Sequence, residues 1–178
     1  DTIFCWGSDK SKIISKKPKG KFKSIYSGHK HMCALSHSDK LVCWGNSIKG
    51  QTTIPKNIGP VKDVACGADH TCVIKKTDNH IICWGSNFNR QILSPKDLTT
   101  ATNIESSGFH NCVITDDFNV SCWGENIYGQ STVPKNIGKV VAISLAPDHT
   151  CALIEDGSAH CWGKEASRKT QLINTQKP

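Results

Sequence analysis

Arginine, methionine and tyrosine are scarce: 178 residues contain two Arg (Arg90 and Arg168), one Met and two Tyr. So little arginine disfavours a nucleic-acid reader, which spreads cations over a groove-sized surface and uses bidentate guanidinium contacts. The net charge of +7 does not restore that reading, because eight Lys in the first thirty residues face only Asp1 and Asp9. A solvated lysine-rich loop around Lys10 to Lys23 accounts for most of it. No apolar run approaches the ~18 residues that cross a bilayer. The longest, such as Val140 to Ile143, are strand-sized. A glycine-rich phosphate loop, a long helical period and a conspicuous carboxylate pair are also missing, which removes the usual grounds for phosphoryl-transfer or glycosidase chemistry. The sequence starts at Asp1 with no apolar signal region, which a processed end and a trimmed chain fit equally. What remains has the balance of a soluble globular chain, with 21% charged and 37% hydrophobic residues.

Self-similarity dominates what is present. Cys-Trp-Gly begins at Cys5, Cys43, Cys83, Cys122 and Cys161, in steps of 38, 40, 39 and 39 residues, and takes in every Trp of the chain. The last four copies follow a His-x-Cys, namely His31 and Cys33, His70 and Cys72, His110 and Cys112, His149 and Cys151. Three copies lead into Gln and Pro at matched offsets: GNSIKGQTTIPK, GSNFNRQILSPK and GENIYGQSTVPK. One unit reads as a Val/Ile-rich strand, a tight turn, a strand carrying His-x-Cys, a hairpin, a strand ending in Cys-Trp-Gly, and an Asn/Gly loop. Short strands with such frequent turns predict an all-β protein. A unit this small cannot bury both faces, so neighbours must stack, in a propeller or a solenoid. The chain divides into a half repeat, 1–20, and repeats at about 21–59, 60–99, 100–138 and 139–178, forming a single domain over 1–178.

The unit resembles the repeat of the regulator of chromosome condensation family, through GHKHMCAL, CGADHTCVI, SGFHNCVI and APDHTCAL, each followed by Cys-Trp-Gly. It is similar above all to the short, disulfide-containing variant of secreted bacterial proteins and crinkly-type ectodomains. The resemblance implies a β-propeller of antiparallel sheets. Family propellers usually have seven blades, whereas this chain has four full units and a half. A five-bladed ring with one thin blade, an open arc, a fragment, or a ring completed by a second chain or by self-association through Cys5 all stay open. Both ends, KSKIISKKPK and KEASRKTQLINTQKP, lack the Gln and Pro at the expected offsets.

Hairpin register pairs the cysteines. If Cys33 faces Cys43, Leu35 faces Leu41 around a loop at His37 to Asp39. The same arithmetic pairs Cys72 with Cys83, Cys112 with Cys122 and Cys151 with Cys161. Each bridge closes a loop of about eleven residues, for which chain entropy gives about 3 kcal/mol. A zinc reading, with His-x-Cys and the distant Cys as three ligands, lacks a recurring fourth, so no metal and no cofactor is expected. Cys5 and Cys66 are left unpaired or intermolecular. Cys66 is aligned with Ser27, Ser107 and Leu145 and reads as a small buried side chain. Asn119-Val-Ser is a glycosylation sequon at a hairpin tip. Ten Cys, eight of them paired, place the protein in a secretory or extracellular setting.

The four His read as structural struts at strand starts, since a catalytic pair is singular whereas these are four equivalents. An unrepeated Cys66-Gly67-Ala68-Asp69-His70 is the one nucleophile candidate, and the expectation is no enzyme. The Trp residues read as packing between units rather than sugar platforms. Specificity then falls to loops on one rim, with Lys49, Phe88, Arg90, Phe109, Tyr128, Asp69 and Asp148 as binding candidates. The function expected is a secreted, disulfide-bonded scaffold for a protein partner. The alternatives are a multivalent lectin, with Asn46, Asn87 and Asn126 beside the Trp residues, and a guanine-nucleotide exchange or chromatin-docking module.

Overall fold

The computed structural model describes residues 2–98 and 100–164, and every regular element among them is a strand. Twelve strands form four antiparallel three-stranded sheets, one per repeat. Sheet 1 holds β1 (Phe22–Ser27), β2 (His31–Ser36) and β3 (Leu41–Gly45); sheet 2 holds β4 (Val61–Cys66), β5 (His70–Lys75) and β6 (Ile81–Gly85). Sheet 3 holds β7 (Ala101–Ser107), β8 (His110–Thr115) and β9 (Val120–Gly124); sheet 4 holds β10 (Val140–Ala146), β11 (His149–Ile154) and β12 (Ala159–Gly163). Each sheet is a meander in sequence order, as the unit read from the sequence requires.

Loop length fixes the registers. The second hairpin of sheets 1, 3 and 4 closes over three residues whose last is left-handed: Asp39 (φ 61), Phe118 (φ 63) and Gly157 (φ 85). That is the three-residue loop with a bulged third position. In sheet 2 the extra residue makes a four-residue loop, closed by Lys75 N–H to the His80 carbonyl. Cys33 consequently lies opposite Cys43 and Leu35 opposite Leu41, with the same pairing in the other sheets.

The core lies between sheets. Leu35 of sheet 1 packs with Val61, Val64 and Trp84 of sheet 2. Ile74 and Ile81 pack with Ala101, Ile104 and Trp123 of sheet 3, and Ile114 packs with Val140, Ile143 and Trp162 of sheet 4. On the other side of sheet 1, Ile3 covers Phe22, Ala34 and Trp44. Each sheet is thus completed by its neighbour, and the described sheets form an open arc, a partial propeller, rather than a closed ring. The segment from Glu165, including the degenerate end of the last repeat, lies outside the described residues.

Candidate functional site

One hydrogen-bonded junction recurs between repeats. Gln51 is buried; its side-chain oxygen accepts from Lys49 N–H at 2.9 Å and so tightens the loop after Trp44. Its main-chain carbonyl faces the next repeat, where it accepts from Trp84 Nε1 at 3.0 Å and from the Thr71 hydroxyl at 2.8 Å. Gln91 does the same for Trp123 and the Asn111 amide, and Gln130 for Trp162 and Thr150. For Trp44 the acceptor is the Ile13 carbonyl, 2.9 Å away, so the half repeat supplies this bond without a Gln.

The histidines complete the junction. Since the Thr71 hydroxyl donates to Gln51, it accepts from His31, whose proton therefore sits on Nε2 (2.9 Å). His70 donates to Asn111 Oδ1 at 2.7 Å and His110 to Thr150 at 2.9 Å. All three rings are fully buried, with Nδ1 unpartnered. Burial, with a smaller push from His70, holds His31 and His110 near about 4, and burial also lowers His70. These rings are struts, as the sequence suggests. His149 differs: half-buried, it shares a 2.9 Å contact between Nδ1 and Asp148. The sequence shows Gln51, Gln91 and Gln130 at fixed offsets but not their task. The residues after His70, His110 and His149, namely Thr71, Asn111 and Thr150, also recur as polar side chains in the sequence, but their partners lie in the preceding repeat.

Opposite the hairpin tips, the loops after Cys-Trp-Gly and the two-residue turns before His-x-Cys share one rim, because His31 pairs with Gly45 at the sheet end. Gly45 (φ 107) is required there: a Cβ would lie 2.8 Å from the Lys30 carbonyl oxygen that Asn46 N–H uses. The rim carries most of the sequence-based candidates, in unequal roles. Lys49 is exposed and its ammonium sits 5.0 Å from the centre of the Phe88 ring; Lys164 lies 4.9 Å from that of Tyr128. Arg90 is exposed with a left-handed backbone (φ 59). Asp69 and Asp148 are spent on structure, accepting from Gln51 at 3.2 Å and from His149. Phe109 is half-buried beside a cleft of about 500 Å³ that the turns line between repeats. The loops also share an exposed apolar position, Ile48, Phe88 and Ile127, which are 83%, 81% and 75% exposed.

Four bridges join Cys33 to Cys43, Cys72 to Cys83, Cys112 to Cys122 and Cys151 to Cys161, while Cys5 and Cys66 are free. Cys66 is buried, which pushes its thiol up to about 12, and its neighbours are His31 and Cys33 of the preceding repeat. Cys66 pairs with Thr71 and Ser106 with Asn111, so the counterpart of Cys66 in the third sheet is Ser106, not Ser107. The turn between the first two strands has two residues in every repeat, so the position is fixed by counting back from the His. Trp44, Trp84, Trp123 and Trp162 are 6–7% exposed with their N–H groups engaged, whereas Trp6 is 87% exposed. Asn119 is exposed at the end remote from the rim, its amide donating to Asp117 at 2.7 Å.

Three-stranded sheets stacked through a shared Trp, His and Gln junction, each with a bridge across its second hairpin, define a disulfide-bonded partial β-propeller. Residues 61–91 and 101–130 match the family model of the Regulator of chromosome condensation (RCC1) repeat. Two of the four repeats thus match this repeat family, and the four bridges fit its disulfide-containing variant. It is similar to the CRINKLY ectodomain of the Arabidopsis thaliana receptor kinase ACR4, at 26% identity and a TM-score of 0.69 over 80% of this chain and 51% of that one. It is also similar to the ectodomain of the Physcomitrella patens receptor kinase CR4, at 25% identity and a TM-score of 0.68 over 80% and 39%. Prp20p of Saccharomyces cerevisiae, the yeast RCC1, shares the fold at 17% identity and a TM-score of 0.69, over 83% of this chain and 47% of that one. The chain therefore spans about half or less of the length of these proteins.

Proposed function

We propose that this chain is an extracellular scaffold that binds a protein partner through its loop rim, and that it acts as a binder rather than a catalyst. The observation that carries the reading is the row Ile48, Phe88 and Ile127. One loop position in three successive repeats presents a large apolar side chain at 75–83% exposure. Burying three such groups contributes about 1.5–3 kcal/mol each, which suits a protein interface better than a polar sugar. Exposed Lys49 and Arg90 flank the row as polar contacts. Four bridges and the similarity to receptor ectodomains support an extracellular setting. Among the described residues no helix is long and apolar enough to cross a membrane.

The same reading includes a second chain at the half repeat, where Phe4 and Trp6 are 80% and 87% exposed beside the free Cys5. Prp20p is described by its binding to Gsp1p and histones. At 17% identity that likeness speaks for the fold alone.

The test compares wild type with an Ile48→Asp, Phe88→Asp, Ile127→Asp variant as bait for extracellular proteins, with quantification of what each retains. The reading expects a partner retained at least tenfold more by wild type and unaffected by free monosaccharides. Equal retention by both baits, or elution by sugar, overturns it. Sedimentation of the bait alone separates a second copy from a different partner.

A further inference from the structure

Cys66 breaks the repeat in one place only. At the equivalent position the third sheet has Ser106 and the fourth has Leu145. Between the first two sheets the position holds a third sulfur instead. The Cys66 sulfur, the Cys33 sulfur and a ring nitrogen of His31 all lie within 4.8 Å of one another, and all three residues are buried. Cys33 is bonded to Cys43, so opening that bridge frees a fourth donor adjacent to the Cys33 sulfur, on the facing strand. The imidazole has a lone pair to offer, because His31 Nδ1 has no hydrogen-bond partner.

We propose that reduction of the Cys33–Cys43 bridge converts this junction into a tetrahedral site for a thiophilic divalent cation of the zinc type. Cys33, Cys43 and Cys66 serve as thiolates and His31 as the neutral imidazole. Three sulfurs and one nitrogen form a closed structural set for such an ion, at bond lengths of about 2.0–2.3 Å, within reach after small side-chain shifts. A dithiol or phosphine reductant supplies the two electrons that cleave the S–S bond into two thiols. The metal then displaces three thiol protons to solvent. Bridge and metal compete for the same sulfurs, so the oxidised chain cannot hold the ion there. The two forms also differ mechanically. The bridge ties β2 to β3 within one sheet, whereas the metal adds β4 and clips sheet 1 to sheet 2. The two other junctions between described sheets provide His, Cys and Cys but no further sulfur at the Cys66 position, where Ser106 and Leu145 stand, and serve as internal controls.

The experiment uses the full chain reduced with a phosphine, anaerobically titrated with Co²⁺ and back-titrated with Zn²⁺, while far-UV circular dichroism follows the fold. The expected result is one equivalent of Co²⁺ with the strong visible absorption and sulfur charge-transfer bands of tetrahedral thiolate coordination, and none in the oxidised chain. Cys66→Ser is expected to weaken binding at least tenfold. Ser106→Cys, which places the missing donor beside His70 and Cys72, is expected to raise the stoichiometry to two, and this gain does not depend on a loss variant folding. The proposal is overturned if the reduced chain takes up no stoichiometric metal, if Cys66→Ser binds as tightly as wild type, if four equal equivalents bind, or if Ser106→Cys stays at one.

Discussion

Trp84 and Trp6 sit in the same tripeptide, yet one is 7% and the other 87% exposed. The difference is a neighbour: Trp84 donates to Gln51 and packs against sheet 1, and Trp6 does neither. Trp84→Phe keeps most of the ring and loses the N–H, so denaturant unfolding should show a loss of about 1–2 kcal/mol. Trp6→Phe should change stability by less than about 0.5 kcal/mol. The histidines add a pH dependence. His31 and His110 titrate near about 4 in the fold, against 6.5 for a free ring. The unfolded chain therefore binds more protons between those values. The stabilising contribution is fully present above pH 6.5 and is lost as pH falls towards 4, on the order of 3 kcal/mol per ring. Paired His31→Gln and His110→Gln substitutions retain a donor to Thr71 and Thr150. They should flatten the stability profile between pH 7 and 4; parallel wild-type and variant profiles would refute this account. Their role as struts was legible because four copies of a His cannot all be catalytic. Their partners were not, because those bonds cross about forty residues of sequence.

At the scale of strands and turns, local arithmetic carried further. Hairpin loop lengths and the Cys spacing fix one another, so all four bridged pairs could be drawn from the register alone. The counterpart of Cys66 was misplaced by one residue because Ser106 and Ser107 are chemically alike. Only the two-residue turn, visible once Ser107 pairs with His110, separates them. The glycine after each Trp is the tightest local constraint. A Cβ on Gly85 would stand 2.6 Å from the Asp69 carbonyl oxygen, at φ 107. Gly85→Ala should therefore cost at least about 2 kcal/mol and break the Ser86 to Asp69 bond that closes the rim. Gly50→Ala, also left-handed but with open space around it, should cost about 1 kcal/mol. Thermal unfolding of the two variants checks the order.

Across the described residues, sheets whose main contacts are with their neighbours behave as a one-dimensional array, in which cooperativity depends on each junction. The number of units was legible because packing demands a fixed period. The partner was not, because the rim residues Ile48, Phe88 and Ile127 are free of that demand. Ile104, 1% exposed, is the larger of the two β7 side chains that pack with Ile74 and Ile81, and so joins the first two sheets to the last two. Ile104→Ala leaves a cavity there worth about 2–5 kcal/mol. Weakening one link of a linear array separates the units on either side, so the variant should unfold in two steps where wild type unfolds in one. Amides of β8 and β11 should exchange together and out of step with those of β2 and β5, as hydrogen exchange under mild denaturant would show. Leu153→Ala, on a side chain 43% exposed, should cost less than about 1 kcal/mol and leave the transition whole. A single cooperative transition in Ile104→Ala, shifted but unbroken, would mean that the sheets are coupled by more than nearest-neighbour packing.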